Sequence, residues 1–117
     1  MQILFDKGSE KNGAEGLGLF EGDVSQLDAP ILPHIGWNNV QAEVGSRLFS
    51  GLENEMFYFV HSFAAKDPVV DASNSWCTYN EKFLAAVERE SVSAVQFHPE
   101  KSGATGAKLI ANWIVTL

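Results

Sequence analysis

The chain contains the segment Gln96-Phe97-His98-Pro99-Glu100-Lys101-Ser102 directly after an apolar run. Pro99 fixes its own φ and biases the preceding His98 toward extended geometry. Because side chains at i and i+2 of an extended segment point the same way, we expect His98 and Glu100 to lie together at the end of a strand. A carboxylate beside an imidazole selects its tautomer and stabilises its cation, so this pair predicts a general base.

A base of this kind normally serves a nucleophile, and the chain has a single cysteine, Cys77, with no glycine-rich elbow around it. We interpret Cys77 as a small buried residue. The alternative is a replacement nucleophile, which would need a depressed pKa and a position within reach of His98. A zinc site built from His34, His61 and His98 is a further alternative, but these residues lack ligand spacing, and we predict no metal.

Composition limits the classes of function. The 117 residues are 45% hydrophobic and 11% aromatic, which predicts one domain over residues 1–117 with a modest core. The net charge of −7 argues against a nucleic-acid partner, because phosphate contacts need clustered Lys and Arg. A single cysteine favours a reducing compartment. We find neither an apolar run of about 20 residues nor a signal peptide, so we expect a cytoplasmic protein without membrane contact.

The hydrophobic pattern predicts strands at residues 35–44 and 56–62, the second apolar enough to be buried on both faces. Residues 83–90 fit either a helix or a strand that pairs with residues 92–97. Residues 8–22 are rich in glycine and charge and predict a loop with short extended pieces.

Helices are predicted in three places. Residues 1–7 read as a short helix that stops at Gly8, and residues 46–52 as one helical turn. Residues 103–117 are expected to close the chain as an amphipathic helix. The side chains predicted to face inward from this last helix are Leu109, Ile110, Trp113 and Ile114.

Five segments together resemble the class I glutamine amidotransferases. They are Met1-Gln2-Ile3-Leu4-Phe5, Gly16-Leu17-Gly18-Leu19, Pro33-His34-Ile35-Gly36-Trp37-Asn38, Phe57-Tyr58-Phe59-Val60-His61-Ser62 and the His98 segment. The third of these singles out the branch that serves imidazole glycerol phosphate synthase in histidine biosynthesis. The resemblance implies hydrolysis of glutamine to glutamate and ammonia without a cofactor, and transfer of the ammonia through a partner (β/α)8-barrel cyclase.

The resemblance also implies a flavodoxin-like α/β fold with a mixed sheet and a C-terminal helix, lacking the N-terminal strands and the nucleophile elbow. In the family the nucleophilic cysteine lies in a Gly-x-Cys-x-Gly-Met-Gln turn, and this chain begins at that Met. We therefore expect the isolated chain to be inactive, since nucleophile and oxyanion donors are each worth orders of magnitude in rate. The alternative is a non-catalytic binding or self-associating module derived from the same fold.

Matching the motifs residue by residue implies a role for each of several side chains. His98 corresponds to the general base and Glu100 to the carboxylate that orients it. The positions that correspond to glutamine contacts are Gln2, His61, Ser62 and Phe63, where the family more often has Tyr than Phe at the last.

A second set of positions corresponds to the interface with the barrel subunit, namely Trp37, Asn38 and Lys101. A buried aromatic and a charge pair are common at such interfaces. The alternative is that Trp37 belongs to the core and Lys101 is a solvated charge. We also expect a homo-oligomer, most simply a dimer, that buries apolar surface and covers an exposed strand edge.

Overall fold

The computed structural model describes residues 1–8 and 14–117, and these form nine strands, short 3-10 turns and one α-helix. The elements are β1 Phe5–Gly8, β2 Ala14–Glu15, β3 Phe20–Gln26, β4 His34–Asn39, β5 Met56–His61, β6 Phe63–Ala65, β7 Ser73–Tyr79, β8 Glu81–Arg89, β9 Val92–Val95 and α1 Gly103–Thr116. No helix among the described residues is long and apolar enough to cross a membrane.

One sheet is mixed, in the order β2-β1-β3-β6. Its central pair, β1 and β3, is parallel, whereas β2 and β6 add antiparallel strands at the two edges. Together with α1 this sheet confirms the α/β class, with a mixed sheet and a C-terminal helix.

Two antiparallel units complete the fold. Strands β4 and β5 form a two-stranded sheet in which His34 lies opposite His61. Strands β7, β8 and β9 form a three-stranded sheet, so residues 83–90 adopt the strand alternative. A bridge between Gln41 and Trp76 joins these two units.

Strand β8 lies between the two hydrophobic clusters. Phe83 and Ala85 pack in the larger cluster, Leu84 and Val87 pack in the smaller one, and all four are fully buried. Strand β5 was expected to be buried on both faces, and this prediction is wrong. Phe57 and Phe59 are buried in the larger cluster, but the alternate residues Met56 and Val60 are exposed. The strand with a continuous run of buried residues in the structure is β8.

Helix α1 was predicted correctly in extent and incorrectly in orientation. Among the four side chains expected to face inward, only Leu109 is buried, and it packs in the larger cluster. Ile110 is 40% exposed, Trp113 39% and Ile114 57%. The turn that holds the helix is tight, because an added Cβ on Gly106 would lie 2.8 Å from the carbonyl carbon of Pro99. This close approach fixes which side of the helix can face the protein.

Other local predictions need correction. Residues 1–7 are not a continuous helix, because a 3-10 turn at Gln2–Leu4 leads directly into β1. Residues 46–52 form hydrogen-bonded turns, with Leu52 N–H donating to the carbonyl of Phe49, and not a helix. The predicted strand at residues 35–44 starts one residue earlier and ends at Asn39. Residues 9–13 of the predicted 8–22 loop lie outside the described residues; β2 and the start of β3 fall in its remainder.

Candidate active site

His98 and Glu100 lie side by side, with His98 Nδ1 and Glu100 Oε2 3.2 Å apart. Both are solvent-accessible, the side chains being 37% and 62% exposed. The sequence predicts an extended segment for both residues, but Pro99–Lys101 is a 3-10 turn and His98 is its extended N-cap. The pair therefore meets because the chain turns after His98. With Nδ1 facing the carboxylate, Nε2 is the nitrogen left to accept a proton.

Ser102 fixes the backbone around this turn. Its hydroxyl donates to the carbonyl of His98 at 2.6 Å and accepts from the N–H of Tyr58 at 2.9 Å. The N–H of His98 in turn donates to the carbonyl of Tyr58 at 2.9 Å. His98 is thus attached to β5 by backbone contacts, and Ser102 is buried. Its side chain satisfies polar groups that would otherwise be left without partners.

The carboxyl of Glu100 has a pKa below its usual value. The main cause is a hydrogen bond from its own backbone N–H, with smaller contributions from the His98 ring and Lys101. Glu100 is therefore ionised at neutral pH, which is the state that can accept a hydrogen bond from Nδ1–H of His98 and stabilise the imidazolium.

Gln2 reaches across to the segment that follows β5. Its Nε2 donates to the carbonyl of Phe63 and to Oε1 of Gln96, both at 2.8 Å. These bonds link the 3-10 turn that precedes β1 with the start of β6 and with the segment that leads to His98. They hold the Gln2 amide in one orientation, which is what a residue that contacts a ligand requires.

An open cavity of about 770 Å³ collects most of the predicted site residues. It is lined by Gln2, His61, Ser62, Phe63 and His98, together with Met1, Pro33, Val60, Val95, Gln96 and Phe97. A volume of this order accommodates a small ligand. A second cavity of similar volume lies between the turns around Ser46 and the end of α1, and it contains none of the predicted site residues.

His61 contributes to this cavity from a buried position and is paired with His34. Nδ1 of His34 lies 2.9 Å from Nε2 of His61, as the β4–β5 register predicts for residues directly opposite each other. Burial, and then the neighbouring His61, lowers the pKa of His34 to about 4. Burial also lowers the pKa of His61, although its hydrogen bond to the Phe63 carbonyl acts in the opposite direction. Both rings are neutral at pH 7.

Cys77 does not have the properties of a nucleophile. It is fully buried in the larger hydrophobic cluster, and burial raises the pKa of its thiol to about 12. A thiolate is therefore disfavoured, which agrees with the structural interpretation. Among residues 1–8 and 14–117, no group of three or more His, Cys, Asp or Glu side chains could hold a metal ion.

Trp37, Asn38 and Lys101 lie outside the cavity. Trp37 is 50% exposed, so the alternative that it belongs to the core is wrong. Its ring packs edge-on against Tyr58, with centroids 5.9 Å apart. Lys101 is exposed, and Asn38 is half-buried with its amide directed at His34 and at the carbonyl of Thr78. Trp37 therefore presents a large apolar surface to solvent near the start of α1.

Sequence reasoning gave no role to three residues that organise the site: Gln96, Ser102 and His34. Gln96 and Ser102 belong to the motif that was singled out, but nothing in their spacing identifies their partners. His34 was weighed only as a metal ligand. The role of His34 could be predicted from its antiparallel pairing with His61. That pairing depends on the register of two strands separated by a long connection.

Comparison with known proteins gives consistent matches over the whole chain. The family model described as glutamine amidotransferase class-I matches residues 1–117. The imidazole glycerol phosphate synthase subunit HisH of Streptomyces avermitilis is 49% identical over 127 residues, covering 100% of this chain and 59% of the relative. The subunit of the same name from Leifsonia xyli is 47% identical over 126 residues, covering 100% and 60%.

The corresponding subunit of Mycobacterium tuberculosis is 49% identical over 118 residues, covering 97% of this chain and 57% of the relative. The chain thus spans about three fifths of the length of the curated relatives it matches.

Proposed function

Because this chain belongs to the class I glutamine amidotransferase family, we propose that it supplies the general base and the glutamine contacts of a glutaminase site whose ammonia serves imidazole glycerol phosphate synthase. The observation that carries the proposal is the His98–Glu100 pair beside a cavity that also holds Gln2 and Phe63. His98 accepts the proton of a nucleophile through Nε2, while Glu100 holds Nδ1.

The nucleophile comes from outside these 117 residues. The one cysteine present is buried with a raised pKa, so it cannot supply the thiolate. A general base acting on water contributes only about 10²–10⁴-fold, which is far below the acceleration that amide hydrolysis requires. We therefore propose that the 117 residues alone do not hydrolyse glutamine.

The test is reconstitution. The chain is assayed for glutamate and ammonia release alone, and then together with the part of the Streptomyces avermitilis relative that it does not match. We expect no release above background from the chain alone and hydrolysis from the combination. Turnover by the chain alone that disappears in Cys77→Ser would overturn the proposal, and so would a stable combination without activity.

We propose the cyclase barrel of imidazole glycerol phosphate synthase as the partner, bound through Trp37, Asn38 and Lys101. The half-exposed Trp37 supports this, because large aromatic side chains dominate the energetics of many interfaces. In the reconstituted protein, Trp37→Ala should weaken binding to the barrel about 30-fold, measured by calorimetry. Val44→Ala, at a fully exposed residue away from this surface, should leave the affinity unchanged. Equal affinities of Trp37→Ala and the unchanged protein for the barrel would show that the surface around Trp37 does not bind it.

A self-associating module is the second candidate function. It is favoured by the exposed apolar side of α1, where Ile110, Trp113 and Ile114 all contact solvent. Light scattering at tens of micromolar, by order of magnitude, should then show a dimer that Trp113→Glu dissociates. Ala111→Glu, at an exposed residue of the same helix, should leave it intact. A monomer throughout that range excludes this candidate.

A further inference from the structure

Four residues are connected by consecutive hydrogen bonds that run from the surface of β4 to the cavity. Asn38 Nδ2 lies 3.3 Å from His34 Nε2, His34 Nδ1 lies 2.9 Å from His61 Nε2, and His61 Nδ1 lies 2.9 Å from the carbonyl oxygen of Phe63. That carbonyl also accepts from Nε2 of Gln2. We call Asn38, His34 and His61 the histidine relay.

The carbonyl of Phe63, at the end of the relay, indicates which nitrogen of each ring carries the proton. A carbonyl can only accept, so Nδ1 of His61 carries a proton and its Nε2, in the neutral ring, is an acceptor. Nδ1 of His34 must then donate to it, which leaves Nε2 of His34 to accept from the amide of Asn38. One arrangement of hydrogens is therefore consistent with the heavy-atom distances. Reversing either ring would bring two donors or two acceptors together.

The surroundings prevent water from taking the place of these bonds. His34 is 3% exposed and His61 7%. The His34 ring stacks on Tyr79 with centroids 4.1 Å apart and on Phe59 at 5.0 Å, while Phe83 packs against His61 at 4.8 Å. A buried polar atom that loses its partner here stays without one. The titratable groups facing the relay are Tyr79, against His34, and His98, whose charge acts on His61.

We propose that His34, itself held by Asn38, is a positioning residue: its Nδ1–H and the Phe63 carbonyl together fix the Nδ1–H tautomer of His61 and thereby the orientation of the 61–63 segment that contacts glutamine. This inference rests on the proposed function for its effect on glutamine. The relay itself is independent of that function. The segment is held from one side by His61 and from the other by Gln2, both bonded to the same carbonyl.

The tautomer is measured directly. In the chain labelled with ¹⁵N at histidine, the ring nitrogens of His61 at pH 7 should show a protonated Nδ1 and an unprotonated Nε2. His34→Leu removes the donor and should shift the population toward a mixture of tautomers. His34→Asn places an amide N–H near the position of Nδ1 and should restore the single tautomer. Asn39→Ala, in the same strand but outside the relay, is the matched control.

The functional effect is measured in the reconstituted protein. His34→Leu should raise KM for glutamine about tenfold with a smaller change in kcat, and His34→Asn should recover most of the loss. If His34→Leu does not fold, Asn38→Ala tests the same relay from its exposed end, with a smaller change in the same direction.

The outcomes separate the two proposals. An Nε2–H or doubly protonated His61 at pH 7, or an unchanged tautomer and KM in His34→Leu, overturns the relay. Absence of glutaminase activity in every reconstituted protein, with the tautomer as expected, counts against the proposed function and leaves the relay supported.

Discussion

The molecule contains two hydrogen-bonded pairs built on histidine, a buried pair of His34 and His61 and an exposed pair of His98 and Glu100, and they differ in burial and in partner. His34 and His61 are buried, bonded to each other and surrounded by aromatic rings. His98 is accessible and bonded to a carboxylate. The first environment disfavours a charged ring, whereas the second can stabilise one. We therefore propose different purposes for the two pairs: the buried pair keeps its protons fixed, and the exposed pair accepts and releases a proton.

The largest expected effect concerns the exposed pair. In the reconstituted protein, His98→Gln should lower glutamine hydrolysis by about 10²–10⁴-fold because the base is lost. The free energy of unfolding should change by no more than about 0.5 kcal/mol, since the ring is partly exposed. Ammonia release and urea denaturation measure the two quantities. Lys108→Gln is the control, and comparable activity in the two variants would contradict the assignment of His98.

Gly106→Ala should move the exposed pair and leave the buried pair in place. An added Cβ would overlap the carbonyl group of Pro99, which is backbone and cannot move aside cheaply. We expect a loss of about 1–3 kcal/mol in unfolding free energy. The ¹⁵N signals of His34 and His61 should be unchanged. Without the overlap this substitution would stabilise the helix by about 1 kcal/mol. The sign of the change in unfolding free energy therefore shows whether the overlap exists. Ala107→Gly, at an exposed neighbouring residue, measures the effect of helix propensity without any overlap.

The buried pair should make stability depend on pH. An unfolded histidine takes up a proton near pH 6.5, whereas native His34 does so near pH 4. Stability is therefore full above pH 6.5 and is lost as the pH falls from there toward 4. Allowing for residual solvent screening, we expect a loss of about 1–2 kcal/mol between pH 7 and pH 5 from His34.

Urea denaturation across this pH range measures the loss. It should persist in His98→Gln and diminish in His34→Asn. A stability profile that is flat from pH 7 to pH 5 would show that the buried pair is charged in the native state or open to water.

The smallest effect is expected from Glu100→Gln. The carboxylate is exposed, and its contact with His98 is a surface ion pair, so the Tm should not change beyond experimental error. Hydrolysis should fall by less than in His98→Gln, because in the proposed site Glu100 orients the base and does not itself accept the proton of the nucleophile. A marked drop in Tm, seen by differential scanning calorimetry, would mean that the exposed pair has a structural role like the buried one.

The sequence predicted local chemistry better than it predicted packing. The proximity of His98 and Glu100 followed from residues two apart, even though the geometry that produces it is a 3-10 turn. The contact between His34 and His61 depends on the register of two strands joined by residues 40–55, which no local pattern specifies. The burial of β5 and β8 was missed for a similar reason. Residues 56–62 were predicted to be covered on both faces and residues 83–90 fit either a helix or a strand, but the placement of neighbouring elements covers both faces of β8 and only one face of β5.

Helix α1 illustrates the same limit. Its apolar residues have helical spacing, yet Leu109 is buried while Trp113 remains 39% exposed. Periodicity identifies an apolar stripe on a helix, but it does not identify what the stripe packs against.

The turn after His98 has a consequence for solubility. One edge of β5 pairs with β4, and the opposite edge would offer backbone donors and acceptors to any passing strand. Residues 98–105 occupy that edge, because His98, Ser102 and the Thr105 hydroxyl bond the backbone of Tyr58 and Met56. The segment that carries the proposed base therefore also protects the sheet against edge-to-edge aggregation. A substitution that breaks these bonds is therefore expected to expose the edge of β5 and to favour aggregation.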